Sequence, residues 1–133
     1  MTSGLKYLTV ESVLAIHAEV LAAHGGGAGL RSRPLLESAV AAPQATMMGQ
    51  LLISEPIEIA AAYLFYICSN HPFVDGNKRV SLASCLVFLS ENGLLPDETL
   101  NTDHWEKLTL DVACGSLTRD EVTVRLRTLL QSI

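Results

Sequence analysis

Apolar residues recur at helical spacing along most of the chain, and this pattern predicts a series of helices. The first runs from Thr9, whose side chain suits an N-cap, to about His24, where three consecutive glycines stop it. The second begins at Pro34, because proline fits the first position of a helix, and it reaches Pro43.

The next two predicted helices are the most apolar of the chain. One opens at Pro56 and runs to about Asn70, and the other runs from about Asn77 to Glu91. Both carry apolar residues almost all round, which is typical of helices buried at the centre of a bundle. Gly93 follows the second of them, at a position where a left-handed residue commonly ends a helix.

Two capping boxes predict the last two helices. Asp103 with Glu106 opens a fifth helix, and Thr118 with Glu121 opens a sixth. The stretch over residues 44–54 lacks helical spacing and fits a short hairpin or flap. The sequence therefore predicts an all-α bundle of about six helices with one small flap.

Length and charge narrow the class of protein. The chain has 133 residues, the size of one domain, so we treat residues 1–133 as a single unit. Hydrophobic residues make up 49% of the chain and charged residues 17%, which excludes a disordered protein. The formal charge of -5 argues against direct binding of nucleic acid, since such binders usually present a basic face.

Cysteine spacing and the length of apolar runs favour a cytoplasmic protein. Cys68, Cys85 and Cys114 are odd in number and widely spaced, so we interpret them as reduced, mostly buried thiols. The longest unbroken apolar run, from Ile59 to Cys68, is too short to cross a bilayer. The N-terminus shows no signal-peptide pattern, and we expect no membrane partner.

A polar segment over residues 70–79 separates the two central helices and carries the candidate chemistry. Lys78 and Arg79 lie in the first turn of the fourth helix, where cations oppose the helix dipole by ~0.3–1 kcal/mol each. A bound phosphate would offset this unfavourable interaction, because its negative charge is attracted both by the helix N-terminus and by the two cations. Gly76 would let such a ligand approach the backbone, and the Asn77 amide could donate to a phosphate oxygen.

The same segment holds a candidate base and a candidate metal ligand. Asp75 is an acceptor when ionised, which suits Mg²⁺, and His71 can take a proton near neutral pH. Together these residues describe a site for phosphoryl or nucleotidyl transfer. The alternative is a solvated polar turn, in which His71 faces the end of one helix and residues 75–77 cap the next.

The segment HPFVDGNKR resembles the signature of the Fic/Doc family, and specifically of its death-on-curing (Doc) branch. The flanking stretches YLTVESVLAIHAEV, GLRSRPLLESAVAAPQAT and SLASCLVFLSENG resemble that branch too, so the likeness covers most of residues 7 to 93. The resemblance implies an all-α Fido fold and transfer from ATP onto a hydroxyl of a target protein. It also implies that His71 is the general base, that Asp75 binds Mg²⁺, and that the anion-binding turn consists of Gly76, Asn77, Lys78 and Arg79.

Two departures bear on the group that is transferred. Members that transfer AMP resemble HPFxxGNGRxxR, whereas this chain has Lys78 in place of the glycine and Leu82 in place of the second arginine. Lysine adds bulk and charge, and the missing arginine removes a phosphate clamp. The resemblance then implies a Doc-type kinase that transfers the γ-phosphate to a serine or threonine. The implied target is elongation factor Tu, and the implied outcome is blocked translation by the toxin of a toxin–antitoxin pair.

The resemblance also bears on partners. Self-inhibiting members resemble [ST]-x-x-x-E-[GN], but Val87 stands at the first position before Glu91 and Asn92, so inhibition is expected from a separate antitoxin covering the ATP cleft. Met47 and Met48 lie in the stretch that, in the family, holds the target as an added strand; plain packing is an equal alternative.

Two other functions stay open, namely AMP transfer and a catalytically idle module that binds an antitoxin or repressor. The oligomeric state is left open as well.

Residues outside the polar segment are weaker candidates. Three histidines share no i, i+4 spacing and therefore predict no metal site: His17, His24 and His104. Three charged residues fit surface ion pairs better than contacts in a cleft: Arg31, Arg33 and Glu37. Trp105 is interpreted as an anchor of the core.

Overall fold

Six helices and one small hairpin make up the computed structural model, which describes residues 4–96 and 101–131. This architecture confirms the predicted all-α bundle of about six helices with one small flap. The elements in chain order are α1 (Val10–His24), α2 (Arg33–Ala41), a 3-10 turn (Ala42–Gln44), β1 (Thr46–Met47), β2 (Gln50–Leu51), α3 (Pro56–Asn70), α4 (Asn77–Glu91), α5 (Thr102–Ala113) and α6 (Arg119–Gln131).

Helix α3 is the centre of the bundle, as its apolar sequence predicts. Its residues from Ile59 to Leu64 are all buried, together with Ile67 and Cys68. A helix with no polar face is stable only when other elements cover it on every side. Helix α3 accordingly packs against α2, α4, α5 and α6, and its most extensive contact is with α4.

Two of the predicted helix starts are confirmed in atomic detail. The Thr9 hydroxyl accepts a hydrogen bond from the Ser12 N–H at 3.1 Å, and the Thr9 N–H donates to the Ser12 hydroxyl at 2.7 Å. At α6, the Glu121 N–H donates to the Thr118 hydroxyl at 3.2 Å, and the Thr118 N–H donates to the Glu121 carboxylate at 2.8 Å. Each reciprocal pair satisfies N–H groups that have no partner inside the helix.

Two other helix starts differ from the prediction. The capping box at Asp103 is wrong, because Asn101 caps α5 and its side-chain oxygen accepts from the His104 N–H at 3.2 Å. Asp103 lies within the first turn instead, where its charge favours the helix dipole. Helix α2 begins one residue earlier than predicted, at Arg33, because Ser32 supplies the N-cap.

The stretch over residues 44–54 forms the predicted hairpin. Thr46 pairs with Leu51 and Met47 pairs with Gln50 in an antiparallel ladder. The two turn residues both have positive φ, 52° at Met48 and 79° at Gly49, as a tight two-residue hairpin turn requires. The Met48 side chain at the tip is exposed.

The cysteines also agree with the sequence interpretation. All three are free; Cys68 and Cys85 are buried and Cys114 is exposed. Burial raises the pKa of the Cys85 thiol to about 12, so this thiol stays protonated at neutral pH. Within the described residues, no helix has the length and hydrophobicity needed to cross a membrane.

The N-terminal segment is tied to the core by a testable hydrogen bond. The buried Leu8 N–H donates to the Tyr63 hydroxyl at 2.9 Å. We expect Tyr63→Phe to lower the free energy of unfolding by about 1–3 kcal/mol, because the Leu8 N–H then lacks a partner. Denaturant unfolding followed by circular dichroism measures the loss. Tyr66→Phe on the same helix is the control, since its hydroxyl is only partly buried and accepts from Arg119 at 3.3 Å; an equal loss in both variants would contradict the prediction.

Candidate active site

A cavity of about 640 Å³ opens at the start of α4, between the 71–76 loop and α5. That volume lies within the ~300–1,000 Å³ typical of small-molecule sites. The structure therefore brings all of the sequence-predicted site residues to one cavity. The lining consists of His71, Val74, Asp75, Gly76, Asn77, Lys78, Arg79, Leu82, Glu106, Thr109 and Leu110.

The loop is closed by the side chain of Asn77. The Phe73 N–H donates to the Asn77 side-chain oxygen at 2.9 Å, and the Asn77 amide donates back to the Phe73 carbonyl at 2.9 Å. Asn77 is buried, so its amide holds the loop rather than pointing at a ligand. This differs from the expectation that the amide contacts phosphate: the contact left to Asn77 is its backbone N–H in the first turn of α4.

His17 supports the loop from behind, a role that its sequence position did not reveal. Its ring stacks on Phe73 with centroids 3.9 Å apart and an interplanar angle of 11°. Its Nε2 lies 3.0 Å from the Asp75 carbonyl oxygen. Since a carbonyl only accepts, Nε2 must carry the proton. His17 is thus a buried positioning residue. The signal available beforehand was its place on the same helix face as Val13 and Ile16.

The glycines after α1 also belong to the site. Gly26 has a φ of 120°, and a Cβ there would lie 2.9 Å from an Asp75 carboxylate oxygen. The neighbouring Gly27 N–H donates to that oxygen at 3.2 Å. The glycine run therefore ends the helix, as predicted, and also lets the backbone approach a carboxylate.

Asp75 is held as an ionised carboxylate. One oxygen accepts from the Gly27 N–H and the other from the Gly76 N–H at 2.8 Å. These two backbone bonds lower the pKa of Asp75, and the positive charge of Arg79 lowers it further. Each oxygen keeps a lone pair for a cation. The described residues contain no cluster of three metal-binding side chains.

The start of α4 presents positive charge to the cavity. Its N-cap is Gly76, in the left-handed region at φ 82°, and no side chain caps the helix. This argues against the alternative that residues 75–77 merely cap α4. Lys78 and Arg79 are exposed, and no carboxylate of the described chain lies within ion-pair distance of either. Helix N–H groups and cations therefore remain available to an anion.

The opposite wall comes from α4 and α5. Leu82, on α4, lines the cavity with an apolar side chain. Glu106 of α5 lines it too, although its spacing from Asp103 predicted a capping box. Trp105 is buried beneath this wall, which confirms its role as a core anchor, and its carbonyl accepts from the Thr109 hydroxyl at 3.0 Å.

His71 ends α3 in the left-handed conformation, with φ 49° and ψ 55°. Its side chain is exposed at the cavity and not packed in the core. Arg31 donates from Nε to the His71 carbonyl at 2.6 Å, and from Nη2 to the Asn70 carbonyl at 2.8 Å. The predicted surface ion pair forms between Arg33 and Glu37 at 3.3 Å and does not include Arg31.

Comparison with known proteins finds one matching family and two relatives. The model of the Fic/DOC family matches residues 7–89, a range that contains the whole loop. The chain is 36% identical over 121 residues to "Toxin Doc" of Mycolicibacterium smegmatis, with 91% of each chain covered. It is 28% identical over 128 residues to "Protein kinase doc" of Escherichia phage P1, covering 96% of this chain and 98% of the relative.

The close approach of Gly26 to Asp75 can be tested by titration. We expect Gly26→Ala to raise the pKa of the Asp75 carboxyl, because the new Cβ displaces the carboxylate from the Gly27 N–H. Carbon-13 NMR of the labelled carboxyl over a pH series measures this shift. Gly25→Ala is the matched control: it also has a positive φ, 76°, but a Cβ added there would meet no atom within 4 Å. An unchanged Asp75 titration in Gly26→Ala would refute the contact.

Proposed function

Because this chain belongs to the Fic/DOC family and is a relative of Doc toxins, we propose that it transfers the γ-phosphate of Mg-ATP to a serine or threonine of a target protein. One observation carries this proposal: a base, a carboxylate and an uncapped cationic helix start line the same cavity. Phosphoryl transfer requires that the enzyme position the reacting groups and stabilise the negative charge of the phosphates, and residues that line one cavity can do both.

His71 acts as the general base in this proposal. Its imidazole takes the proton of the acceptor hydroxyl as the hydroxyl oxygen attacks the γ-phosphorus. The new oxygen–phosphorus bond forms while the bond from the γ-phosphorus to the β–γ bridging oxygen breaks, and ADP leaves. The exposed position of His71 at the cavity lets a protein side chain reach it.

Lys78, Arg79 and the backbone of α4 hold the phosphates. The N–H groups of the first turn point along the helix axis toward the cavity, and the two cations add charge. Asp75 would hold Mg²⁺, which when bound neutralises phosphate charge and orients the triphosphate. Its lowered pKa keeps this ligand ionised at neutral pH.

Two side chains of α4 favour phosphate over AMP as the transferred group. Lys78 fills space that a glycine would leave open, and Leu82 offers no hydrogen bond where an arginine would clamp a phosphate. Transfer of AMP stays the alternative within the same fold. Elongation factor Tu is the proposed target, with translation arrest in the cytoplasm as the result and an antitoxin over the cleft as the inhibitor. No step requires nucleic acid or a membrane.

The mass added to a target distinguishes these activities. We expect the purified chain with Mg-ATP and elongation factor Tu to yield a phosphate increment by intact-mass spectrometry, and His71→Ala to yield none. An AMP increment would instead support the alternative transfer. If His71→Ala arrests growth as strongly as the unmodified chain, the catalytically idle binding module is the correct function.

The phosphate cradle makes a separate prediction about affinity. We expect Lys78→Ala and Arg79→Ala each to weaken ATP binding by about tenfold or more, since a hydrogen bond to a charged group contributes about 1.5–3 kcal/mol. Isothermal titration calorimetry measures the change. Arg33→Ala is the control, because this exposed arginine pairs with Glu37 and does not line the cavity. Unchanged affinity in both cradle variants would remove the case for an anion site.

A further inference from the structure

We infer that Arg31 is a positioning residue that holds His71 in the conformation needed for proton transfer. The inference rests on the proposed function, because it concerns the base of that reaction. Arg31 lies 40 residues before His71 in the chain, yet its guanidinium donates to the His71 carbonyl at 2.6 Å and to the Asn70 carbonyl at 2.8 Å. It contacts the peptide groups on both sides of the Cα that carries the imidazole.

His71 needs an external support because its backbone is strained. Left-handed geometry is uncommon outside glycine, and it persists only where the surroundings enforce it. Pro72 follows directly, and the residue before a proline is biased toward extended backbone. An extended His71 would swing its carbonyl away from Arg31 and would carry the imidazole to another direction. The two hydrogen bonds therefore select the left-handed state.

The chemistry of arginine suits this task. The last carbonyls of α3 have no partner inside the helix and form the negative end of its dipole. A guanidinium offers two N–H groups in a fixed plane, so it can bind two successive carbonyls at once, whereas a lysine offers a single point of charge. Arg31 has no carboxylate within ion-pair distance in the described part of the chain, and it is exposed.

A substitution of the Arg31 side chain tests only the guanidinium, because the backbone hydrogen bonds of this segment to the loop do not change. The N–H groups of Arg31 and Ser32 donate to the Pro72 carbonyl at 2.7 and 3.0 Å, and the Val74 N–H donates to the Gly29 carbonyl at 3.1 Å. These bonds do not depend on the side chain of Arg31. Removing the guanidinium thus takes away only the bonds to the carbonyls of residues 70 and 71, while Asn70 keeps its side-chain bond to the Leu35 carbonyl at 3.0 Å and the rest of the loop stays attached.

Kinetics give the first test, with the chain acting on elongation factor Tu. We expect Arg31→Ala to lower kcat by about 10- to 100-fold, as for a reacting group misplaced by about 1 Å. The affinity for ATP should stay within about twofold, because Arg31 does not line the phosphate cradle. Arg31→Lys should recover part of the loss, and Arg33→Ala should behave as the unmodified chain. Equal kcat in Arg31→Ala and Arg33→Ala would overturn the inference.

A spectroscopic test works without any activity. The Cα and Cβ chemical shifts of residue 71 report its backbone region, so we expect left-handed values in the unmodified chain and a move toward extended values in Arg31→Ala. If the unmodified chain transfers no phosphate, the proposed function fails, while this measurement still decides the role of Arg31. Unchanged shifts in Arg31→Ala would refute it. If Arg31→Ala does not fold, Arg31→Lys carries both measurements, and unchanged kcat and shifts in that variant would refute the inference.

Discussion

The paired hydrogen bonds between Asn77 and Phe73 are the constraint on which the site depends. They connect the first residue of α4 to the middle of the loop, so the loop can open only if both bonds break. Both groups are buried, and each bond would leave a polar group without a partner if broken, at a cost of about 1–3 kcal/mol. The ring of His17 stacks on Phe73, so Phe73 is held both by the Asn77 hydrogen bonds and by this aromatic contact.

This rigidity allows the helix start to stay uncapped. Lys78 and Arg79 oppose the dipole of α4, and Gly76 leaves this helix without the side-chain cap that Thr9 gives α1 and Thr118 gives α6. The packing of α4 against α3 stabilises the helix in spite of this, since α4 buries four apolar side chains there and elsewhere in the core: Val80, Cys85, Phe88 and Leu89. Local rules are broken where the chain would bind an anion, as is common at functional sites.

The sequence predicted the fold and the loop residues well because both depend on local signals. Helical spacing identified α3 and α4, and the nine-residue motif placed His71 and Asp75 in one loop. It did not reveal His17, which lies 58 residues from Asp75, or Arg31, which lies 40 residues from His71, since such contacts depend on how helices pack. It also misjudged α5, where Asn101 and Asp103 were equally suitable caps by residue type and only the backbone geometry distinguishes them.

The connection between α1 and α2, residues 25–32, therefore helps to position the site residues and is not a simple linker. Its backbone forms hydrogen bonds to the loop, donating to the carbonyl of Pro72 and accepting from the N–H of Val74. The N–H of Gly27 donates to the carboxylate of Asp75. The base and the carboxylate thus take their positions from the same short stretch, while the cations take theirs from α4.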